Sequence, residues 1–269
     1  MRPFALVLAA PLAIFATAFL ALPLVRLLGA SAGGEAGWAI YGEVLTNARY
    51  LRALLDTVLV SLATTAAALA VATTAGLFLE RHRFPGRGFL IATLTFPLAF
   101  PGVVVGFLII LLGGRQGLVN WAAQWVAGER LVFAYSMTGL FLGYLYFSIP
   151  RVMLTVMGAA AKLDPRLAEA ARACGAGPWR VMRDVTLPAL APALAAAGAI
   201  AFATAMGAFG TAFTLATDID VAPMVIYTAF TLSADIATAC ALSVVLGLLT
   251  WAVLVAARGL SGTAVAAGG

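Results

Sequence analysis

Residues 162–188 read KLDPRLAEAARACGAGPWRVMRDVTLP, a charged stretch set between long apolar runs. Asp164 suits an N-cap and Pro165 the first helical position, where its missing amide hydrogen costs nothing. Leu167, Ala170, Ala171 and Cys174 then recur at helical spacing and form one small apolar face. Glu169 falls near the first turn, where the helix dipole favours a carboxylate. Gly175 and Gly177 are expected to end this helix in left-handed backbone. Pro178 opens a second short helix through Trp179, Arg180, Val181, Met182 and Arg183, which Leu187-Pro188 is expected to close. The apolar face is mostly alanine, too thin to insert well into lipid, so it fits a protein groove better than a membrane surface.

The flanks of this stretch fix the class. The 269 residues are 63% hydrophobic and 10% charged, with a mean hydropathy of +1.04. Soluble domains carry roughly 25% charged residues, so the composition is that of a membrane protein. A hydrocarbon core of about 30 Å takes roughly 20 helical residues to cross. Six apolar stretches meet that length, at about 4–28, 55–79, 89–112, 132–157, 190–215 and 236–258. The expected fold is therefore an all-α membrane protein, a single transmembrane domain over 1–269, with the polar loop at 163–188 between the fourth and fifth crossings. The first run, from Phe4 to about Leu28, is longer than the apolar part of a signal peptide and is expected to be a retained helix. Cys174 and Cys240 offer no disulfide framework and read as free thiols.

Charge sets the orientation. With the N-terminus inside, Arg2, Arg81, Arg83, Arg87, Arg151, Lys162, Arg166, Arg172, Arg180, Arg183 and Arg258 give 11 inner basic residues. Arg26, Arg49, Arg52, Arg115 and Arg130 give 5 outer ones, and the acidic residues divide the other way, 4 inside and 7 outside. Net charge is +7 inside and −2 outside, which places both termini and the 163–188 loop in the cytoplasm. The basic pI of 9.7 thus follows from topology, with no nucleic-acid partner implied. The outer Asp218, Asp220 and Asp235 read either as solvated loop charges or as a rim favouring a cationic cargo or a basic partner.

Two expected spans carry breakers. TFPLAFPG at 95–102 holds Pro97 and Pro101, and AMGAFGTAF at 205–213 holds Gly207, Phe209, Gly210 and Thr211. Proline removes an amide donor, and small residues let helices approach closely. Two readings stand for these six residues: helix packing, or helices bent around a translocation path.

Glu169-Ala170-Ala171, three residues, Gly175, nine residues, Val185, one residue, then Leu187-Pro188 resembles the EAA loop of binding-protein-dependent ABC-importer permeases, the MetI-like family. Val185 stands where that motif has isoleucine. Leu55-Asp56-Thr57 is similar to a Leu-x-Asn-Thr stretch of such permeases, with Asp56 in place of asparagine, which leaves the role of that amide open. PLAFPGVVVG at 97–106, YFSIPRVML at 146–154 and FATAMGAFGTAF at 202–213 resemble the branch serving polyamines, ferric iron, 2-aminoethylphosphonate, sulfate and molybdate. The last stretch and VAPMVIYTAF at 221–230 look most like its spermidine/putrescine-type members.

The resemblance implies a multi-pass bacterial inner-membrane permease subunit forming half of a pathway. Its partners would be two ABC ATPase subunits, a second permease (a paralogue, or a copy of itself) and a periplasmic or lipid-anchored substrate-binding protein, all within membrane lipid. Glu169 would anchor the ATPase, Ala170 and Ala171 would permit close approach, and Gly175 would set the turn. Trp179 would pack against the loop or the ATPase rim, and Leu187-Pro188 would complete the coupling element. The cargo implied is a polyamine, with 2-aminoethylphosphonate, ferric iron or an oxyanion as alternatives. The chain has no GxxxxGK[ST] phosphate loop, so ATP and Mg would bind the partner ATPase, and no cofactor, metal site or catalytic residue is expected in this chain.

An ion-coupled secondary transporter is the rival class, but it needs intramembrane ionisable residues near the midplane, which the expected spans lack. His82, the only histidine, lies beside Arg81 and Arg83 as a loop residue. The tail SGTAVAAGG at 261–269 is expected to be unstructured.

Overall fold

A computed structural model describes residues 3–215 and 219–261. Arg2, Asp218 and residues 262–269, all read above from sequence, lie outside the described residues. Among the described residues the fold is all-helical. In chain order the first half runs α1 Pro3–Ala16, α2 Leu22–Ser31, α3 Ile40–Thr46, α4 Ala48–Arg81, α5 Arg87–Thr95, α6 Gly102–Gly113 and α7 Leu118–Ala127. The second half runs α8 Met137–Ala160, α9 Pro165–Ala173, α10 Pro178–Val181, α11 Leu187–Met206, α12 Phe209–Leu215, α13 Ala222–Thr231 and α14 Ile236–Ser261. Six helical stretches among the described residues are long and apolar enough to cross a membrane: Ala10–Ser31, Ala48–Arg81, Gly102–Ala127, Met137–Ala160, Pro178–Met206 and Ile236–Ala257.

The chain divides into two compact units. The first joins the described residues up to Leu55 with Asp220–Leu248. Its core gathers Ile40, Val44, Ala53 and Leu54 with Ala222, Val225, Ala241 and Leu242. Ser31 Oγ donates to the Leu28 carbonyl at 2.7 Å and shares a 2.7 Å hydrogen bond with Tyr41, which fixes the end of α2. Arg49 pairs with Asp220 at 3.1 Å in the open.

The second unit holds Asp56–Ile219 and the chain from Leu249. Ala68, Ala72, Ala197 and Ala201 meet Val152, Met153, Val156 and Leu190 in its core. Lipid is as apolar as these side chains, so small residues and close van der Waals contact hold such helices together.

Several expected spans are redrawn. The second runs 34 residues, from Ala48 to Arg81, about 50 Å and well beyond the bilayer core. The fourth starts at Met137, leaving 132–136 outside the helix. The third is not one helix over 89–112. It stops at Thr95, turns once as a 3-10 helix over Phe96–Ala99, and restarts at Gly102. Phe100 is forced to extended backbone, ψ 131°, by the proline that follows it. The fifth likewise ends at Met206, and Gly207 separates it from α12.

Proline is handled differently at two other places. Thr17–Ala21 and Met182–Thr186 are each five-residue π turns, and each is followed by Leu-Pro, Leu22-Pro23 and Leu187-Pro188. A proline inside an α-helix clashes with the carbonyl four residues back and lacks the amide to bond it. The wide turn just upstream makes room for the ring, and the Leu187 amide bonds instead to the Met182 carbonyl, five residues back. Leu187-Pro188 therefore does not close the second loop helix; the chain runs on helically from Pro178 to Met206.

Candidate functional site

The 163–188 segment is built as a capped helix, a tight turn and a second helix. Asp164 accepts a 2.9 Å hydrogen bond from the Arg166 amide and so caps α9, with Pro165 at its first position. At the other end the Ala176 amide bonds the Ala171 carbonyl at 3.0 Å and the Gly175 amide bonds that of Arg172 at 2.9 Å. This is a Schellman turn, and its pivot requires positive φ: Gly175 stands at +82°. Gly177 differs from expectation. It is extended, φ −68° and ψ 166°, because Pro178 behind it excludes helical backbone there.

Glu169 and Ala170 are exposed and Ala171 is half-buried. Leu167 and Cys174 are exposed too, so the small face of α9 has little cover of its own. Glu169 and Arg172 line a cleft of about 480 Å³ with Glu80, Arg81, Val185 and Thr186. Trp179 is 74% exposed, so of the two packings read from sequence, burial in its own loop is not what the structure shows. It borders a separate, mostly apolar groove of about 920 Å³ with Leu77, Phe78, Met182, Leu187 and Leu194. Pro188 is exposed at the start of α11. Of the seven loop residues, Glu169 lines the first hollow and Trp179 and Leu187 the second, while Ala170, Ala171, Gly175 and Pro188 line neither.

What ties the loop down escaped the sequence reading. Arg81, at the last turn of α4, donates to Thr186 Oγ1 at 3.0 Å, and Thr186 is buried. Arg87 donates to the Leu79 carbonyl at 2.6 Å and pairs with Glu80 at 3.2 Å, folding 81–87 back on α4. The signal was the cluster RHRFPGR at 81–87, which sequence alone treats as orientation charge. His82 stacks on Phe78, ring centroids 4.5 Å apart.

A second site forms where the broken helices meet. Pro97, Gly207, Gly210 and Thr211 line one cavity of about 300 Å³; Pro101 and Phe209 stand beside it, outside the lining. The approach is close. A Cβ on Gly210 would lie 3.0 Å from the Val103 amide nitrogen, and one on Gly106 only 2.5 Å from Thr214 Cβ. Side-chain hydrogen bonds between different elements hold the junction. Thr211 Oγ1 donates to the Gly102 carbonyl at 3.0 Å, and the hydroxyl of fully buried Tyr144 donates to that of Ala208 at 2.9 Å. The same lining includes Phe147, Arg151 and Thr204, which the sequence reading had not placed on a path.

The family model described as the binding-protein-dependent transport system inner membrane component matches residues 72–262. The sulfate transport system permease protein CysT of Escherichia coli K12 is 32% identical over 77% of this chain and 73% of its own length. The molybdenum transport system permease protein ModB of the same organism is 35% identical over 60% of this chain and 72% of its own. The putative 2-aminoethylphosphonate transport system permease protein PhnU of Salmonella paratyphi A is 31% identical over 87% of this chain and 83% of its own. In fold, the chain is similar to one from a bacterial alginate ABC transporter, crystallised with its alginate pentasaccharide-bound periplasmic protein. The TM-score is 0.80 at 18% identity, over 96% of this chain and 94% of that one.

Proposed function

Because the chain belongs to the binding-protein-dependent transport system inner membrane component family, as a multi-pass inner-membrane permease subunit of an ABC transporter, we propose that it couples to a separate ATPase through residues 163–188. In this reading it supplies half of an import pathway, with a second permease, a copy or a paralogue, supplying the rest. A binding protein delivers cargo outside, and both termini lie in the cytoplasm.

The observation that carries the reading is the build of α9. A helix capped at both ends presents Glu169 and Ala170 outward, and the bond from Arg81 to Thr186 fastens the π turn after the loop's second helix to the long helix α4. A pull on α9 is then passed to the apolar helices as a rigid-body movement, the kind of two-state change that ATP-driven closure of a partner would impose. Glu169 offers its carboxylate to the partner. ATP and Mg belong to that partner.

The test is reconstitution of the assembled transporter in proteoliposomes. Uptake should require ATP and the binding protein and should ignore an imposed proton or sodium gradient. Uptake driven by such a gradient without ATP would replace this reading with the secondary transporter.

Cargo is the finer part. The sequence-level likeness to spermidine/putrescine-type permeases finds no support among the relatives above, which are named for sulfate, molybdenum and 2-aminoethylphosphonate. Sulfate is an oxyanion, a phosphonate carries anionic oxygens, and molybdenum dissolves at neutral pH as molybdate. An anionic cargo of this kind is therefore our reading for this chain, in place of a polyamine.

A further inference from the structure

Resting on the permease reading, we propose that Arg151 and Thr204 form an anion-contacting site in the membrane-spanning part of the path, selecting cargo with a tetrahedral oxyanion or phosphonate group. Counted from sequence, Arg151 is an inner charge near the end of the fourth span. The structure puts it within α8, nine residues before the helix ends at Ala160, roughly 13 Å along the axis. A guanidinium at that depth is costly unless it faces protein or a polar cavity, and residues kept there serve function.

Arg151 is half-buried and lines the 300 Å³ cavity between the two helix breaks. That volume sits at the low end of the roughly 300–1,000 Å³ range of small-molecule sites. The one hydrogen bond of the Arg151 guanidinium among the described residues runs from Nη1 to Thr204 Oγ1 at 2.7 Å. Thr204 Oγ1 in turn donates to the Ile200 carbonyl at 2.8 Å, so the hydroxyl orients the guanidinium without neutralising it. The described lining contains no carboxylate. Apart from Arg151, Thr204 and Thr211 it is proline, glycine, alanine, leucine and phenylalanine, whose side chains bring no competing charge. The planar fork has N–H donors to spare for two oxygens of one anion, a geometry that Lys does not offer. The first turn of α6 opens at Gly102 on the same wall and adds the positive end of a helix dipole. A polyamine would have to pass an uncompensated like charge.

The experiment measures ATP-dependent uptake of sulfate, molybdate, 2-aminoethylphosphonate and spermidine by the reconstituted transporter, wild type against Arg151→Gln and Arg151→Lys. Size-exclusion chromatography reports assembly of each complex. Wild type should accumulate at least one of the anions and exclude spermidine. Arg151→Gln should lose about tenfold or more of that uptake, and Arg151→Lys, which keeps the charge but not the fork, should fall between. If Arg151→Gln does not assemble, Arg151→Lys decides: uptake undiminished in that assembled variant overturns the site. So does anion uptake by Arg151→Gln within twofold of wild type, or ATP-dependent uptake of spermidine alone. That last result leaves the permease reading intact, whereas uptake driven only by an ion gradient removes the permease reading itself.

Discussion

Arg81, at the end of α4, donates a 3.0 Å hydrogen bond to Thr186 Oγ1, 105 residues further along the chain and within the π turn that precedes α11. The end of α4 is thus tied to the turn that joins the loop's second helix to α11. A hydrogen bond to a charged group contributes about 1.5–3 kcal/mol. Thr186→Val should therefore loosen the loop by about 2 kcal/mol, with Thr186→Ser restoring it. Limited proteolysis of 163–188 in membranes reads the loosening, and uptake per ATP hydrolysed should drop with it. Equal protease resistance in Val and Ser variants would remove the bond from the coupling path.

Charge reversal at the proposed anchor gives a sharper result. Glu169→Arg and Gly175→Asp should each abolish uptake while the protein stays in the membrane at ordinary abundance. Gly175 at φ +82° admits a side chain only with strain, so the second variant distorts the Schellman turn while Glu169 remains. Immunoblots of membranes and uptake assays decide this; wild-type transport by both variants would end the coupling assignment.

Orientation has a native reporter. Cys174 is exposed at the turn of the loop, and Cys240 is half-buried in α14. A membrane-impermeant maleimide should label Cys174 in inverted vesicles and leave it untouched in right-side-out spheroplasts. Labelling from outside would reverse the proposed topology.

The junction of the two broken helices tolerates no added bulk. A Cβ at Gly106 would sit 2.5 Å from that of Thr214, closer than packed atoms allow. Overpacking of this kind costs about 1–3 kcal/mol. Gly106→Val should lower the thermal midpoint in detergent by several degrees, whereas Gly158→Ala, with open space around its Cβ, should leave it in place. Equal midpoints would show that the junction yields.

Sequence carried the helices further than their ends. Hydropathy marks six crossings because lipid demands runs of apolar residues, and the cap at Asp164 and turn at Gly175 are local chemistry, legible at once. Pro97 and Gly207 are legible as breakers, but whether a breaker kinks a helix or ends it depends on neighbours that hold the restarted helix, here Thr211 and Tyr144, which bond the carbonyls at the starts of α6 and α12 from other helices. Arg151 stands further from its helix end than the expected span puts it, for a related reason. Charge counting sorts a residue by its distance from a guessed helix end, and α8 is shifted by several residues from the guess. The tie from Arg81 to Thr186 has no local signature at all, since its partners are distant in sequence.

The π turn at Met182–Thr186 also sets the rotational phase of everything upstream of it. An uninterrupted α-helix turns about 100° per residue, so Met182 and Leu194, twelve residues apart, would face directions about 120° apart. The π turn takes up roughly one extra residue without advancing the helix, which cuts the difference to about 20°. Both side chains line the same groove, together with Trp179 and Leu187. The Leu-Pro that ends the motif thus keeps α10 and α11 in register about a common axis. Loss of a single residue between 182 and 186 would rotate Trp179 and Met182 away from Leu194 and the rest of the groove while leaving every one of those side chains intact.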